Sequence, residues 1–152
     1  MPQRDELYLA DILDAAYKIR TRLTDLTRER WNDDEILRDS VVYQMQIIGE
    51  AASSMSDETR AAIGDIPWRQ VRAFRNIIVH HYFAIDWNRV WDTAHGDVPD
   101  LEAPVLRHLR EQHPELARRF ESAFQIVEQE GFPTFTGGRV ITGEDVKSLE
   151  DE

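Results

Sequence analysis

The chain has 152 residues, no cysteine and a formal net charge of −11. That length fits one domain, and the missing cysteines exclude disulfides and thiolate metal sites. The acidity argues against general nucleic-acid binding, because affinity for a phosphate backbone comes from neutralising it with Lys and Arg.

A hydrophobic content of 41% is enough for an ordinary core. No apolar run reaches about 18 residues, so no membrane-spanning helix is expected. The opening Met1-Pro2-Gln3-Arg4-Asp5-Glu6 lacks the apolar stretch of a signal peptide. A soluble, cytoplasmic protein is the expectation.

From Leu9, apolar residues recur at Ile12, Leu13, Ala16, Ile19, Leu23 and Leu26, which is helical spacing. Trp31-Asn32-Asp33-Asp34 breaks the pattern, and Asp33 is the expected N-cap of a second helix. That helix carries Ile36, Leu37, Val41, Ile47, Ile48, Ala51, Ala52 and Met55, an arc wide enough to touch neighbours on more than one side. Ser56-Asp57-Glu58 opens a short helix that Gly64 ends. Pro67 suits the first turn of the next, read as running to about His81. Another starts near Asp86 with Trp87, Val90, Trp91 and Ala94, the tryptophans serving a core or a dimer interface. Leu101, Val105, Leu106 and Leu109 mark one more. Leu116, Phe120, Phe124 and Val127 mark a last helix over 114–130. Glycines and a proline then signal a mostly irregular tail over 131–152, whose last nine residues carry five acids and one lysine. The expected fold is all-α: a helical domain over 1–113 with four or five helices in a bundle, then the added helix and a flexible acidic C-terminal tail.

Charge is unevenly spread. From Ile66 to His81 stand Arg69, Arg72 and Arg75 and two histidines, with no acid. Arg75 is a permanent cation whose planar fork of donors suits phosphate. His80 can exchange protons near neutral pH, and Asn76 adds a neutral donor and acceptor. These are the groups RNA cleavage needs without a metal or cofactor: a base for the ribose 2′-OH, a cation for the phosphoryl oxygens and an acid for the leaving 5′-oxygen. Arg75 and His80 lie about 140° apart around an ideal helix. Either the helix ends or bends near His80, or a second protomer completes the site. His95, His108 and His113 have no ligand spacing, so no metal site is expected. The plainer readings are a cation stabilising a helix C-terminus for Arg75 and His80, and a solvated face for Arg69 and Arg72.

The segment resembles the signature of HepT-like HEPN proteins, in which Arg, four residues, His, one residue and Tyr recur: here Arg75, Asn76-Ile77-Ile78-Val79, His80, His81, Tyr82. Flanking words resemble the family too: Ile47-Ile48-Gly49-Glu50-Ala51-Ala52, Ile66-Pro67-Trp68 and Tyr82-Phe83-Ala84-Ile85-Asp86. The resemblance spans about Leu7 to Leu109. It implies a HEPN-type helical homodimer or higher oligomer, with a composite ribonuclease cleft at the paired motif helices. Arg75 and His80 match the catalytic pair and Asn76 the polar residue beside the arginine; apart from the resemblance, the basic strip itself makes Arg72 and Arg69 the candidate RNA-binding residues, Arg69 at the flank of the groove. The resemblance further implies the toxin half of a toxin–antitoxin pair, whose partner is an MntA-type nucleotidyltransferase that adds AMP to the tyrosine matched by Tyr82. His81 departs from the small residue usual between His and Tyr, and residues 114–152 are additional to the usual length. A second reading keeps the fold and makes the chain a non-catalytic helical partner of a minimal nucleotidyltransferase.

Overall fold

The computed structural model describes residues 4–76, 85–123, 126–129 and 132–135. The chain divides into two compact units, Met1–His108 and Leu109–Glu152.

In the first unit, α1 (Asp5–Leu23) buries Leu9, Ile12, Leu13, Ala15, Ala16 and Ile19. After a short α2 (Arg28–Asp33), α3 (Glu35–Ser54) buries Val41, Val42, Met45, Ile48 and Ala52. α1 and α3 form the principal packing of the unit. They run antiparallel, since Asp5 at the start of α1 meets Ser56 just beyond the end of α3. The N-cap of α3 is Asp34, one residue later than expected: its Oδ1 accepts from the Leu37 N–H at 2.9 Å. Asp33 is instead the last residue of α2.

α4 (Asp57–Ala62) is capped by Ser56 as its sequence predicts, with the Thr59 N–H donating to Ser56 Oγ at 3.2 Å. Asp5 reinforces this start. Its carboxylate accepts from the Ser56 N–H at 3.1 Å, from the Ser56 hydroxyl, and from Thr59 Oγ1 at 2.6 Å. Burial pushes the Asp5 pKa upward, but the hydrogen bonds from Ser56 and Thr59, helped by the nearby Arg60, outweigh it and hold the carboxyl below its ordinary 3.8. A depressed folded pKa stabilises the fold above the unfolded value and is lost as pH falls through the folded one. Asp5→Asn is therefore expected to lower Tm at pH 7, with the gap to wild type closing as the pH is taken below 3.8 in thermal melts. A gap unchanged in acid would show that the carboxylate charge does not hold this cap.

α5 (Trp68–Arg72) passes into a 3-10 turn, Ala73–Arg75, instead of continuing as one α-helix. α6 (Trp87–His95) starts at Asp86, whose Oδ1 accepts from the N–H groups of Asn88 and Arg89 at 3.1 and 3.2 Å. Trp87 and Trp91 meet the buried Trp31 of α2 edge-on, with ring centroids 6.3 and 5.5 Å away. Arg38 lies 5.0 Å over the Trp87 ring and Arg28 5.0 Å over Trp91, so the tryptophans are packing residues.

α7 (Pro99–Gln112) supplies Leu101, Val105 and Leu106 to the core. Its buried Glu102 accepts from Arg20 Nε of α1 at 3.1 Å. Burial raises the Glu102 pKa, and Arg20 opposes that rise only in part.

In the second unit, Arg110 Nε donates to Glu121 of α8 (Pro114–Ala123) at 2.6 Å. The helix expected over 114–130 stops there. Strands β1 (Ile126–Gln129) and β2 (Phe132–Phe135) follow, paired antiparallel from Ile126 opposite Phe135 to Gln129 opposite Phe132. Ile126, Val127, Thr134 and two phenylalanines are strand formers, and they override the helical spacing of Phe124 and Val127. The all-helical expectation holds for the described residues up to Ala123; this hairpin is the exception. The acidic segment 136–152 lies outside the described residues.

Candidate functional site

The basic strip is held by its neighbours before its own chemistry begins. Arg60 of α4 donates from Nη1 to the carbonyls of Ala52 and Met55 at 2.7 and 2.6 Å, satisfying the exposed end of α3. Trp68 Nε1 then donates to the carbonyls of Arg60 and Ile63 at 2.9 and 3.0 Å. The first residue of α5 is thus tied to the last turn of α4. Pro67 occupies the N-cap, and its carbonyl accepts from Gln70 and Val71 at 3.0 and 3.1 Å.

Spacing by three then separates two sides. Val71 and Phe74 are buried, and α5 and the 3-10 turn both pack on α3. Arg69, Arg72 and Arg75 are exposed. Residues three apart eclipse in a 3-10 turn and remain neighbours in an α-helix, so the three arginines form one outward strip. None of their side chains has a hydrogen bond or ion pair with the described residues. Asn76 is exposed, and its backbone N–H donates to the carbonyls of Ala73 and Phe74, closing the turn. The structure thus brings Arg69, Arg72, Arg75 and Asn76 together on one short segment. His80, His81 and Tyr82 lie outside the described residues.

A pocket of about 190 Å³ opens beside the strip, floored by Val71, Phe74 and Leu101. Asp65, Asp97 and Asp100 rim it. Asp65 pairs with Arg107 at 4.0 Å, and the remaining carboxylates make the rim unfavourable for a phosphate. Glu50 of α3 is exposed and has no ion pair with the described residues. His95 hydrogen-bonds through Nδ1 to the Trp91 carbonyl at 2.8 Å, and its ring lies 3.9 Å from that of Trp91, tilted by 40°. It belongs to α6 rather than to the basic strip.

The ribonuclease HepT-like family matches residues 12–107, which include α3, α5 and the arginine strip. The chain belongs to that family. A protein of Methanocaldococcus jannaschii named "Putative RNase" is 30% identical over 106 residues, covering 69% of this chain and 97% of the relative. A "Probable ribonuclease HepT" of Thermococcus cleftensis is 30% identical over 95 residues, or 62% of this chain and 86% of the relative. A further "Putative RNase", from Caldanaerobacter subterraneus, is 28% identical over 105 residues, covering 69% and 94%. No solved structure matches the chain. Among the described residues no helix is long and apolar enough to cross a membrane.

Two contributors escaped the reading of the HepT-like segment by itself. Trp68 anchors the start of α5, and the only sequence signal was its place after Ile66-Pro67. Gly49 stands against the backbone of Arg75, and a glycine inside an apolar helical run was its signal.

Proposed function

We propose that this HepT-like chain is a metal-independent endoribonuclease and the toxin of a toxin–antitoxin pair. The observation that carries the reading is the exposed strip of Arg69, Arg72 and Arg75, set on a packed turn in a chain of a ribonuclease family. His80 acts as general base or acid. The base takes the 2′-OH proton, O2′ bonds to the adjacent phosphorus, and the P–O5′ bond breaks. An acid group protonates O5′, leaving a 2′,3′-cyclic phosphate and a 5′-hydroxyl. Arg75 stabilises the charge on the phosphoryl oxygens, Asn76 orients the reacting group, and Arg72 and Arg69 hold the flanking phosphates.

Of the two arrangements that the spacing of Arg75 and His80 allows, the HepT-like resemblance favours a site completed by a second copy of the chain. In this reading an MntA-type nucleotidyltransferase silences the toxin. The Tyr82 hydroxyl attacks the α-phosphorus of ATP, pyrophosphate leaves, and the attached AMP brings bulk and negative charge that repel RNA.

The test is cleavage of an RNA oligonucleotide beside the DNA of the same sequence. RNA is expected to be cut and DNA left whole, because only RNA supplies the 2′-OH nucleophile. Equal cutting of both would overturn the mechanism. Cutting of neither by the unmodified protein would favour a non-catalytic partner of a nucleotidyltransferase, a reading with which the net charge of −11 agrees.

A further inference from the structure

Gly49 lies inside α3 and is buried. A β-carbon at this position would stand 2.5 Å from the Arg75 backbone nitrogen, 3.1 Å from Arg75 Cβ and 3.2 Å from its Cα. Two of those atoms are backbone, which cannot swing aside as the end of a long side chain can. Ordinary contact begins near 3.4 Å, so any side chain at 49 must push the turn away by about 1 Å. The other described glycines differ. A β-carbon on Gly64 would meet nothing nearer than 3.7 Å, and one on Gly96 would meet only the Asp92 carbonyl of its own helix.

Glycine in a helix interior weakens the helix, so a packing reason is required for it. Here the reason falls on the residue proposed to stabilise the transition state. Phe74, next to Arg75, is buried, and the turn packs on α3. Arg75 itself is exposed. Its backbone is therefore fixed while its guanidinium stays free to meet phosphate.

We propose that Gly49 is a positioning residue for Arg75: its bare α-carbon seats the 3-10 turn directly on α3 and so sets where the guanidinium starts. The inference rests on the ribonuclease reading of Arg75. A misplacement near 1 Å costs about 10²-fold in rate when the reacting geometry is tightly defined.

The experiment compares wild type, Gly49→Ala, Gly64→Ala and the double variant as full-length unmodified chains. Gly64→Ala adds only an ordinary contact with the Ala61 carbonyl and is expected to keep wild-type activity with a raised Tm, so it also serves as a stabilised background for Gly49→Ala. The readouts are kcat and KM on RNA, with the folded fraction checked by circular dichroism, and the NMR shift of the Arg75 backbone amide. Gly49→Ala is expected to lower kcat about 10- to 100-fold with KM changed by less than about 3-fold, and to move the Arg75 amide signal. A glycine needed only for stability would lower Tm and leave the folded protein with full kcat; that result, or an unmoved Arg75 amide, overturns the proposal. So does a double variant that does not fold, since Gly49 would then serve the fold as a whole. If the wild type cuts no RNA, the ribonuclease reading fails by itself, and the Arg75 amide still decides whether Gly49 seats the turn.

Discussion

Arg75→Ala is expected to lower RNA cleavage about 10²- to 10³-fold, the usual cost of removing one group that stabilises transition-state charge. The fold should be nearly indifferent. The Arg75 side chain is exposed and has no hydrogen bond or ion pair with the described residues. Surface substitutions of this kind change stability by about 0.5 kcal/mol or less, or a few degrees at most in Tm. Arg75→Lys keeps the charge but loses the planar fork that matches two phosphoryl oxygens, and should fall between wild type and Ala. Side-by-side kinetics and thermal melts check this. An alanine variant that cuts at the wild-type rate, or loses activity only because it has unfolded, contradicts the role.

Trp31→Ala is expected to have the largest effect on stability. Trp31 is fully buried and packs edge-on against Trp87 and Trp91. Removing such a side chain leaves a cavity and costs about 3–5 kcal/mol, a fall of about 10–20 °C in Tm for a domain of this size. The effect reaches the site region, because α6 resumes the chain at Asp86, shortly after the motif. Its tryptophans also carry Arg28 of α2 and Arg38 of α3 over their own rings, so a shift of Trp87 and Trp91 into the cavity left by Trp31 loosens α2, α3 and α6 together. Trp31→Phe should recover much of the loss. A drop of under about 3 °C for the alanine variant would show that the three rings do not act as a clamp.

How much of this was legible beforehand depended on the range of the interaction. Ser56 and Asp86 announce their helices because an N-cap acts within three residues, and Pro67 marks the start of α5 for the same reason. In the sequence α2 looks like a break, because a six-residue helix with one buried side chain, Trp31, has no apolar period to detect. The change from α-helix to 3-10 turn at Ala73 was hidden because spacing by three suits both geometries. The hairpin was hidden because Leu116, Phe120, Phe124 and Val127 fall at helical intervals, while the strand signal lay in Ile126-Val127 and Phe132 to Phe135.

For the site, the residue types and their clustering were readable, and the exposed arginines agree with a basic strip. Their support was not readable. Gly49 stands 26 positions before Arg75 by numbering, and Asp5 reaches Ser56 and Thr59 across more than 50. Contacts of that range belong to packing and leave no local pattern.

The most direct test of the central claim is RNA cleavage in EDTA by wild-type chain whose intact mass shows Tyr82 unmodified, beside Arg75→Ala and His80→Ala. The account predicts cutting by the wild type alone, with 2′,3′-cyclic phosphate and 5′-hydroxyl ends, and both variants inactive while folded. No cleavage by the wild type, variants that cut equally well, or products ending in a 3′-hydroxyl would contradict it.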